Sequence, residues 1–147
     1  MHLAQHIETH IHTGDAADTV TLDYEARFLR RTRLVSDAGE PFLVELAETR
    51  SLNQGEGFRL DDGRIIAVMA AAEPLLAVQH GNLARIAWHV GNRHTPCQIA
   101  DDHILIREDK VLQAMLEGLG ASVTQVSAPF TPEGGAYGHG RTHGHEH

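Results

Sequence analysis

In the first half of the chain, apolar and polar positions alternate over short stretches that are separated by turn signals. Residues 19–22 and 42–46 show this two-residue period, which is typical of a half-buried strand. Residues 58–60 and 64–68 flank an Asp-Asp-Gly sequence at residues 61–63, and the Asp-Gly pair favours a tight hairpin turn. Several short strands joined by turns predict a small all-β domain.

In the second half, apolar positions recur with the period of a helix in two places. The first helix is predicted to begin after residue 82 and to end at Gly91 and Asn92, the two residues that best tolerate the left-handed conformation of a helix end. The second begins near residues 108–109, where acidic side chains suit the positive end of the helix dipole. The predicted buried positions are Leu83, Ile86, Ala87 and Val90 in the first helix and Val111, Leu112, Met115, Leu116 and Leu119 in the second.

Short apolar runs before, between and after these helices predict four further strands, and residues 70–74 separate them from the first half. The resulting order, β-α-β-β-α-β, is the ferredoxin-like split motif. The predicted fold class is therefore α+β, with a small N-terminal all-β domain, a ferredoxin-like βαββαβ domain and a disordered His-rich C-terminal tail. The predicted boundaries of these three parts are residues 1–72, 73–130 and 131–147.

Both ends of the chain are rich in histidine. The first 14 residues would place His2, His6 and His10 on one face of a helix, or His10 and His12 on one face of a strand, and the sequence does not decide between them. A frayed terminus with solvated histidines is at least as well supported as a second metal site. The chain is predicted to leave the core from residue 129, because the tail beyond has almost no apolar side chains to offset its ordering entropy.

Composition narrows the class of protein. The formal net charge is −8 and no Lys/Arg run offers a footprint for nucleic acid, so nucleic-acid binding is not expected. A single cysteine cannot form an internal disulfide, which fits a reducing compartment. We find neither a secretory signal pattern nor an apolar run of the roughly 18 residues that a membrane helix needs. A soluble cytoplasmic protein is expected.

Histidine is the unusual residue type, with 12 copies, as many as Lys and Arg together. Neutral imidazole is a borderline ligand for nickel, copper, zinc and cobalt, so short His-rich tracts indicate metal binding. Gly, Arg, Thr and Glu interrupt the C-terminal tract, which disfavours a purification tag. The histidines of the two termini are His2, His6, His10 and His12, and His139, His143, His145 and His147.

Three chemically active residues lie close together near the middle of the chain. His94 follows a helix end in a loop, where functional residues concentrate, although a lone histidine there is more often a capping or hydrogen-bonded side chain. His89 lies beside the buried stripe, and an ordinary structural role explains it equally well. Cys97 is best interpreted as a small core residue. No GxSxG, HExxH or CxxC pattern occurs, so the residues do not favour an enzyme.

The same region carries a family resemblance. The GNRH sequence at residues 91–94, with Pro96 and with Gln-Ile at residues 98–99, resembles the signature of the UreE urease accessory proteins, a family of nickel metallochaperones. The PFTPE sequence at residues 129–133, followed by GAY at residues 135–137, resembles the segment before that family's His-rich tail. The two-domain organisation agrees as well, so the resemblance extends over nearly the whole chain.

This resemblance implies a division of roles between the two domains. The N-terminal β domain would bind a partner protein or peptide. The ferredoxin-like domain would dimerise and bring His94 of each subunit to the interface as a metal ligand. The implied variable auxiliary ligands are His139, His143, His145 and His147.

Two departures from the family pattern limit what the resemblance implies. Some family members carry further histidines just before the second helix, where this chain has Arg107, Glu108 and Lys110, so a secondary site is not expected there. The tail is also shorter than the polyhistidine tails of some members, which argues against large-scale nickel storage.

The leading hypothesis is a non-enzymatic chaperone that delivers Ni²⁺ to urease during maturation of the urease active site. Zn²⁺ or Cu²⁺ should also bind in vitro, because imidazole does not select between these ions. The expected partners are a second copy of the chain, the urease apoprotein and other urease accessory proteins. The alternative is a passive metal buffer that uses its His-rich termini. A hydrolase using His94 and Cys97 is disfavoured because no third group orients the pair.

Overall fold

The computed structural model describes residues 1–134 of the chain. The chain divides between Ala71 and Ala72 into two compact units, and each contains one sheet. Among the described residues, no helix has the length and apolar character that a membrane span requires. The predicted His-rich tail and its four histidines lie outside the described residues.

The N-terminal unit is a six-stranded mixed sheet with one 3₁₀ turn, Thr13–Asp15. Its strands are β1 (His2–Glu8), β2 (Asp18–Leu22), β3 (Phe28–Val35), β4 (Pro41–Ser51), β5 (Gly57–Leu60) and β6 (Ile65–Ala70). Their order across the sheet is β2-β6-β5-β1-β4-β3. The all-β character predicted for this part of the chain is confirmed.

The hairpin predicted at residues 61–63 is present, because β5 and β6 pair in antiparallel register around it. Gly63 has a φ of +89°, a conformation that L side chains rarely adopt. The strands predicted at residues 19–22 and 42–46 lie within β2 and β4. The turn chemistry therefore located this hairpin correctly.

Strand β1 is central in this sheet, whereas the sequence indicated little structure in the first 14 residues. It pairs in parallel with β4 and in antiparallel register with β5. The helical arrangement considered for His2, His6 and His10 is therefore wrong. The hydrophobic pattern of β1 is weak because its single fully buried position is Ala4, a small residue.

The core of this unit is aliphatic around one pair of aromatic rings. Phe42 and Phe58 are fully buried with their ring centroids 5.7 Å apart. Arg27 is also buried, and its guanidinium donates hydrogen bonds to the carbonyl oxygens of Leu22 and Leu52 at 2.9 and 3.0 Å. Arg27 thus satisfies a carbonyl at the end of β2 and another just after β4.

The C-terminal unit has the predicted β-α-β-β-α-β order. Its elements are β7 (Ala72–Gln79), α1 (Leu83–Asn92), β8 (Gln98–Ile99), β9 (Ile104–Arg107), α2 (Lys110–Gly118) and β10 (Ser122–Pro129). The sheet has the order β10-β7-β9-β8, and all of its neighbouring strands are antiparallel. This confirms the α+β class and the split βαββαβ arrangement.

The two helices of this unit pack their apolar stripes on the sheet, with one exception to the prediction. Ile86 and Val90 of α1 and Leu112 and Leu116 of α2 are buried. Val111 is 73% exposed, so its assignment to the buried face was wrong. Its neighbour Leu112 occupies the inward position, and a residue one step away lies about 100° around the helix.

Residues 70–74, predicted as a boundary segment, include the start of β7, which begins at Ala72. Pro74 lies inside this strand opposite Ser127 of β10, before the pairing with β9 begins at Leu75. Proline is tolerated where a strand has a neighbour on one side only. Its backbone has no N–H to donate, and on the open side no hydrogen bond between strands is lost.

Candidate metal centre

His94 lies at the C-terminal end of α1 in an unusual backbone conformation. Its φ is +56°, in the left-handed region that favours glycine. The N–H of His94 donates to the carbonyl of Gly91 at 2.9 Å, and the N–H of Thr95 donates to the carbonyl of Val90 at 3.3 Å. These two bonds form a Schellman motif, in which the residue after the C-cap adopts the left-handed conformation.

The helix ends at Asn92, within the predicted end at Gly91 and Asn92, but neither of these two residues adopts the left-handed conformation. Gly91 and Asn92 lie within α1, Arg93 is its C-cap, and the left-handed residue is His94. Pro96, which forces Thr95 out of the helical region, comes two residues after His94, as is common beyond this motif. A non-glycine residue in this conformation costs about 1–2 kcal/mol. Such strain at an exposed histidine is an observation from which a functional role can be inferred.

The side chain of His94 is exposed and lies at an open depression of about 570 Å³. Three carboxylic residues line it, which should draw cations toward the imidazole. Arg107 also lines the depression. The lining residues are Glu73, Pro74, His94, Thr95, Pro96, Arg107, Glu108, Asp109 and Leu112.

The carboxylates of this depression do not converge with His94 on one point. Within residues 1–134, the one group of three His, Cys, Asp or Glu side chains whose ligand atoms lie close together is elsewhere, at His2, Asp61 and Asp62. Asp109 already serves as the N-cap of α2, since its side chain accepts hydrogen bonds from the N–H groups of Val111 and Leu112 at 2.9 and 3.0 Å. The described part of each chain thus offers one imidazole here.

His89 and Cys97 have the structural settings of ordinary packing residues. The ring of His89 is half-buried and meets the indole of Trp88 edge-on, with centroids 5.0 Å apart. Burial raises the pKa of the Cys97 thiol, and the nearby carboxylate of Glu133 raises it further. A thiol with a raised pKa carries little thiolate near neutral pH, which weakens the case for a nucleophile.

The segment after β10 returns to the loop that carries His94, although the sequence predicted that it leaves the core. Phe130 is fully buried. The N–H of Thr131 donates to the side-chain carbonyl of Gln98 at 2.9 Å, and the N–H of Glu133 donates to the carbonyl of Cys97 at 2.8 Å. The chain leading to residues 135–147 therefore starts beside Cys97, three residues from His94.

The second cluster, at His2, Asp61 and Asp62, was not selected from the sequence. His2 is 59 residues from Asp61 along the chain, and the strand that carries His2 has a weak pattern. The Asp-Asp-Gly turn was recognised only as a hairpin signal. Only a prediction that β1 pairs with β5 would have shown that His2 lies close to Asp61 and Asp62.

Comparison with known families and proteins gives consistent matches. Residues 2–71 match the family described as the N-terminal domain of UreE urease accessory protein, and residues 73–147 match the family described as its C-terminal domain. The chain is 57% identical to the urease accessory protein UreE of Ruegeria pomeroyi over 92% of this chain and 91% of that protein.

Two other bacterial relatives with the same name agree. The Rhodobacter capsulatus protein is 61% identical over 90% of this chain and 84% of its own length. The Cereibacter sphaeroides protein is 58% identical over 92% of this chain and 74% of its own length. Because both family matches and full-length relatives cover almost all of the sequence, this chain belongs to the UreE family of urease accessory proteins.

Proposed function

We propose that this protein is a nickel metallochaperone that binds Ni²⁺ through His94 and delivers it to the urease apoprotein, together with other urease accessory proteins. The observation that carries the proposal is the exposed imidazole of His94 on a strained helix end, within a chain of the urease accessory family. The proposal includes no catalytic role, and it places the protein in the cytoplasm.

A single imidazole cannot hold a divalent ion against water and competing ligands, so the proposal requires a homodimer. A twofold axis brings equivalent residues of two subunits together. Two copies of His94 on such an axis would supply two nitrogen ligands and leave further coordination positions open. Nickel accepts nitrogen and oxygen ligands in square-planar or octahedral arrangements. Zinc or copper would compete with nickel for this site in vitro.

The tail histidines would complete this site as removable ligands. Glu133 is fixed to the carbonyl of Cys97, and His139 follows six residues later. Six extended residues span at most about 20 Å, which is enough to return to the neighbourhood of His94. Tethering through a short segment gives an effective ligand concentration in the millimolar range. Ligands of this kind can leave one at a time, which suits delivery of the ion.

A second candidate function is passive metal buffering, which the number of terminal histidines favours. Eight of the 12 histidines lie within 12 residues of a chain end. In the N-terminal segment, His6, His10 and His12 are exposed. A buffer would depend on the number of accessible imidazoles and would not depend on His94 in particular.

The test of the chaperone proposal is His94→Asn, since asparagine tolerates the left-handed conformation and preserves the helix end. Nickel affinity of the dimer, measured by calorimetry, should fall by at least about tenfold, because even the loss of an outer-shell partner costs about 10- to 100-fold. Activation of urease apoprotein by the variant should fall in parallel.

The matched control is His103→Asn, which removes an imidazole of the same unit that is bonded to Asp102 at 2.7 Å. It should leave both nickel affinity and urease activation unchanged. Wild-type affinity and activation in His94→Asn would refute the proposal.

A further inference from the structure

The turn between β5 and β6 is fixed against the start of β1. The N–H of Asp61 donates to the carbonyl of Leu3 at 2.9 Å, and the N–H of Gly63 donates to the carbonyl of Leu60 at 2.9 Å. These bonds place the carboxylates of Asp61 and Asp62 beside the imidazole of His2. Ligand atoms of the three side chains all lie within 4.8 Å of one another.

Each nitrogen of the His2 ring faces a different carboxylate. Nδ1 lies 2.6 Å from Oδ1 of Asp61, which is a hydrogen bond, and Nε2 lies 3.5 Å from Oδ2 of Asp62. When Nδ1 carries the proton, Nε2 keeps a free lone pair, and Oδ2 of Asp62 lies 3.5 Å from this nitrogen. A carboxylate that holds one imidazole nitrogen in this way is the usual outer-shell partner of a metal-binding histidine.

The separation of Nε2 and Oδ2 fits two ligands of one ion. Nitrogen and oxygen ligands lie about 2.0–2.2 Å from a transition-metal ion such as zinc. At ligand angles between about 90° and 110°, two such ligands are about 2.8–3.6 Å apart. The observed 3.5 Å lies within this range.

The carboxylate of Asp62 is itself held in place by hydrogen bonds from Arg64. The backbone N–H of Arg64 donates to Oδ1 of Asp62 at 3.0 Å, and its Nε donates to Oδ2 at 2.7 Å. Carboxylate oxygen has two lone pairs, so Oδ2 keeps one for an ion on the His2 side. Ligating carboxylates are commonly held by such bonds.

The local charge also favours a divalent cation. The carboxylates of Glu40, Asp61 and Asp62 and the guanidinium of Arg64 form one connected group with a net charge of −2 when His2 is neutral (three negative charges and one positive). The side chains of His2 and Asp61 are 43% and 53% exposed, so water can reach the remaining coordination positions.

From this geometry we propose that the N-terminal unit has its own metal site, in which Nε2 of His2 and Oδ2 of Asp62 bind a divalent transition-metal ion. Asp61 acts as a positioning residue that holds the imidazole, and water completes the coordination. One nitrogen and one carboxylate ligand suit Co²⁺, Ni²⁺ or Zn²⁺. This site uses none of the groups proposed for nickel delivery, so either proposal can fail without the other.

The test is titration of the ¹⁵N-labelled full-length protein with Co²⁺, whose paramagnetism broadens amide signals near the ion. Signals of residues 61–64 should broaden in the wild type and equally in His94→Asn. They should stay sharp in His2→Gln and in Asp62→Asn. Asp61→Asn should weaken the Co²⁺ affinity measured at these signals by about 10- to 100-fold.

The matched control is His6→Gln, which removes an exposed imidazole from the same strand and should leave the broadening unchanged. Spectra of the metal-free variants check that β1 and the hairpin remain folded. The proposal is overturned if residues 61–64 stay sharp while other regions broaden, or if their broadening survives His2→Gln. It is also overturned if His2 forms only an ion pair with the two carboxylates and no Co²⁺ binds.

Discussion

At His94, the chemistry of the side chain and the geometry of the backbone are in conflict. The position after a helix C-cap is usually glycine, because only glycine enters the left-handed region without steric cost. His94 occupies it with a φ of +56° and an exposed imidazole. The helix end would be more stable with glycine, so the imidazole is retained at a cost in stability, which is consistent with a role in ligand binding.

This conflict predicts an unusual response to glycine. His94→Gly should leave the free energy of unfolding unchanged or raise it by up to about 1 kcal/mol, because relief of the positive φ offsets the greater freedom of the unfolded chain. Urea unfolding measures the change. The comparison is Ala114→Gly at an exposed interior position of α2, which should lower the free energy of unfolding by about 1 kcal/mol. Equal losses at the two positions would contradict the assigned conformation.

At the scale of elements, one end of the N-terminal sheet is held together by charge. Arg64, just after the β5–β6 turn, donates to both carboxylate oxygens of Glu40, just before β4, at 2.7 and 2.6 Å. Its bonds lower the pKa of Glu40, and its backbone and side-chain bonds lower the pKa of Asp62. The bond from His2 lowers the pKa of Asp61 in the same region. This end of the sheet should therefore be the more acid-sensitive one.

The sign of the pH dependence follows from these lowered pKa values. A carboxylate with a lowered pKa in the folded state adds stability that is complete above its unfolded pKa, here 4.5 for Glu40 and 3.8 for Asp62. That stability is lost as the pH falls through the folded pKa values.

Arg64→Gln should accordingly lower the urea midpoint at pH 7. It should also reduce the further decrease of this midpoint when the pH is lowered from 7 to 3. Arg33→Gln on the exposed face of β3 is the control and should keep the wild-type pH dependence. If the urea midpoint of Arg64→Gln decreases between pH 7 and pH 3 as much as that of the wild type, other carboxylates dominate the acid sensitivity.

The sequence predicted elements well where periodicity or turn chemistry was strong, and failed where tertiary contacts decide. The stripe of α1 and the Asp-Gly hairpin depend on neighbouring residues, so both were predicted correctly. Strand β1 depends on pairing with β4 and β5, which local sequence does not encode. The end of α1 at Asn92 was predicted, but the left-handed residue was not. The bonds that the N–H groups of His94 and Thr95 donate to Gly91 and Val90 accompany a left-handed residue at His94.

For the whole molecule, the two candidate metal sites differ in the same way: one is indicated by local sequence and the other depends on tertiary contacts. His94 is marked by a sequence motif, whereas the cluster at His2 exists only because a distant hairpin is bound to β1. The described residues supply one imidazole at the first site. The proposed nickel centre consequently depends on symmetry between subunits and on ligands beyond residue 134, neither of which follows from the fold of one chain.

Removal of residues 138–147 separates delivery from buffering, because it deletes four of the 12 histidines and leaves His94 in place. If the protein is a chaperone, the truncated dimer should lose weakly bound nickel but keep one ion between its two His94 side chains, with affinity reduced by the loss of the tail ligands. If the protein is a buffer, capacity should fall roughly in proportion to the terminal histidines removed, four of eight, and His94→Asn should retain most of it. Equilibrium dialysis against Ni²⁺ measures the number of ions bound per dimer in each variant. A truncated dimer that binds no Ni²⁺ would exclude a metal centre formed by His94 without the tail.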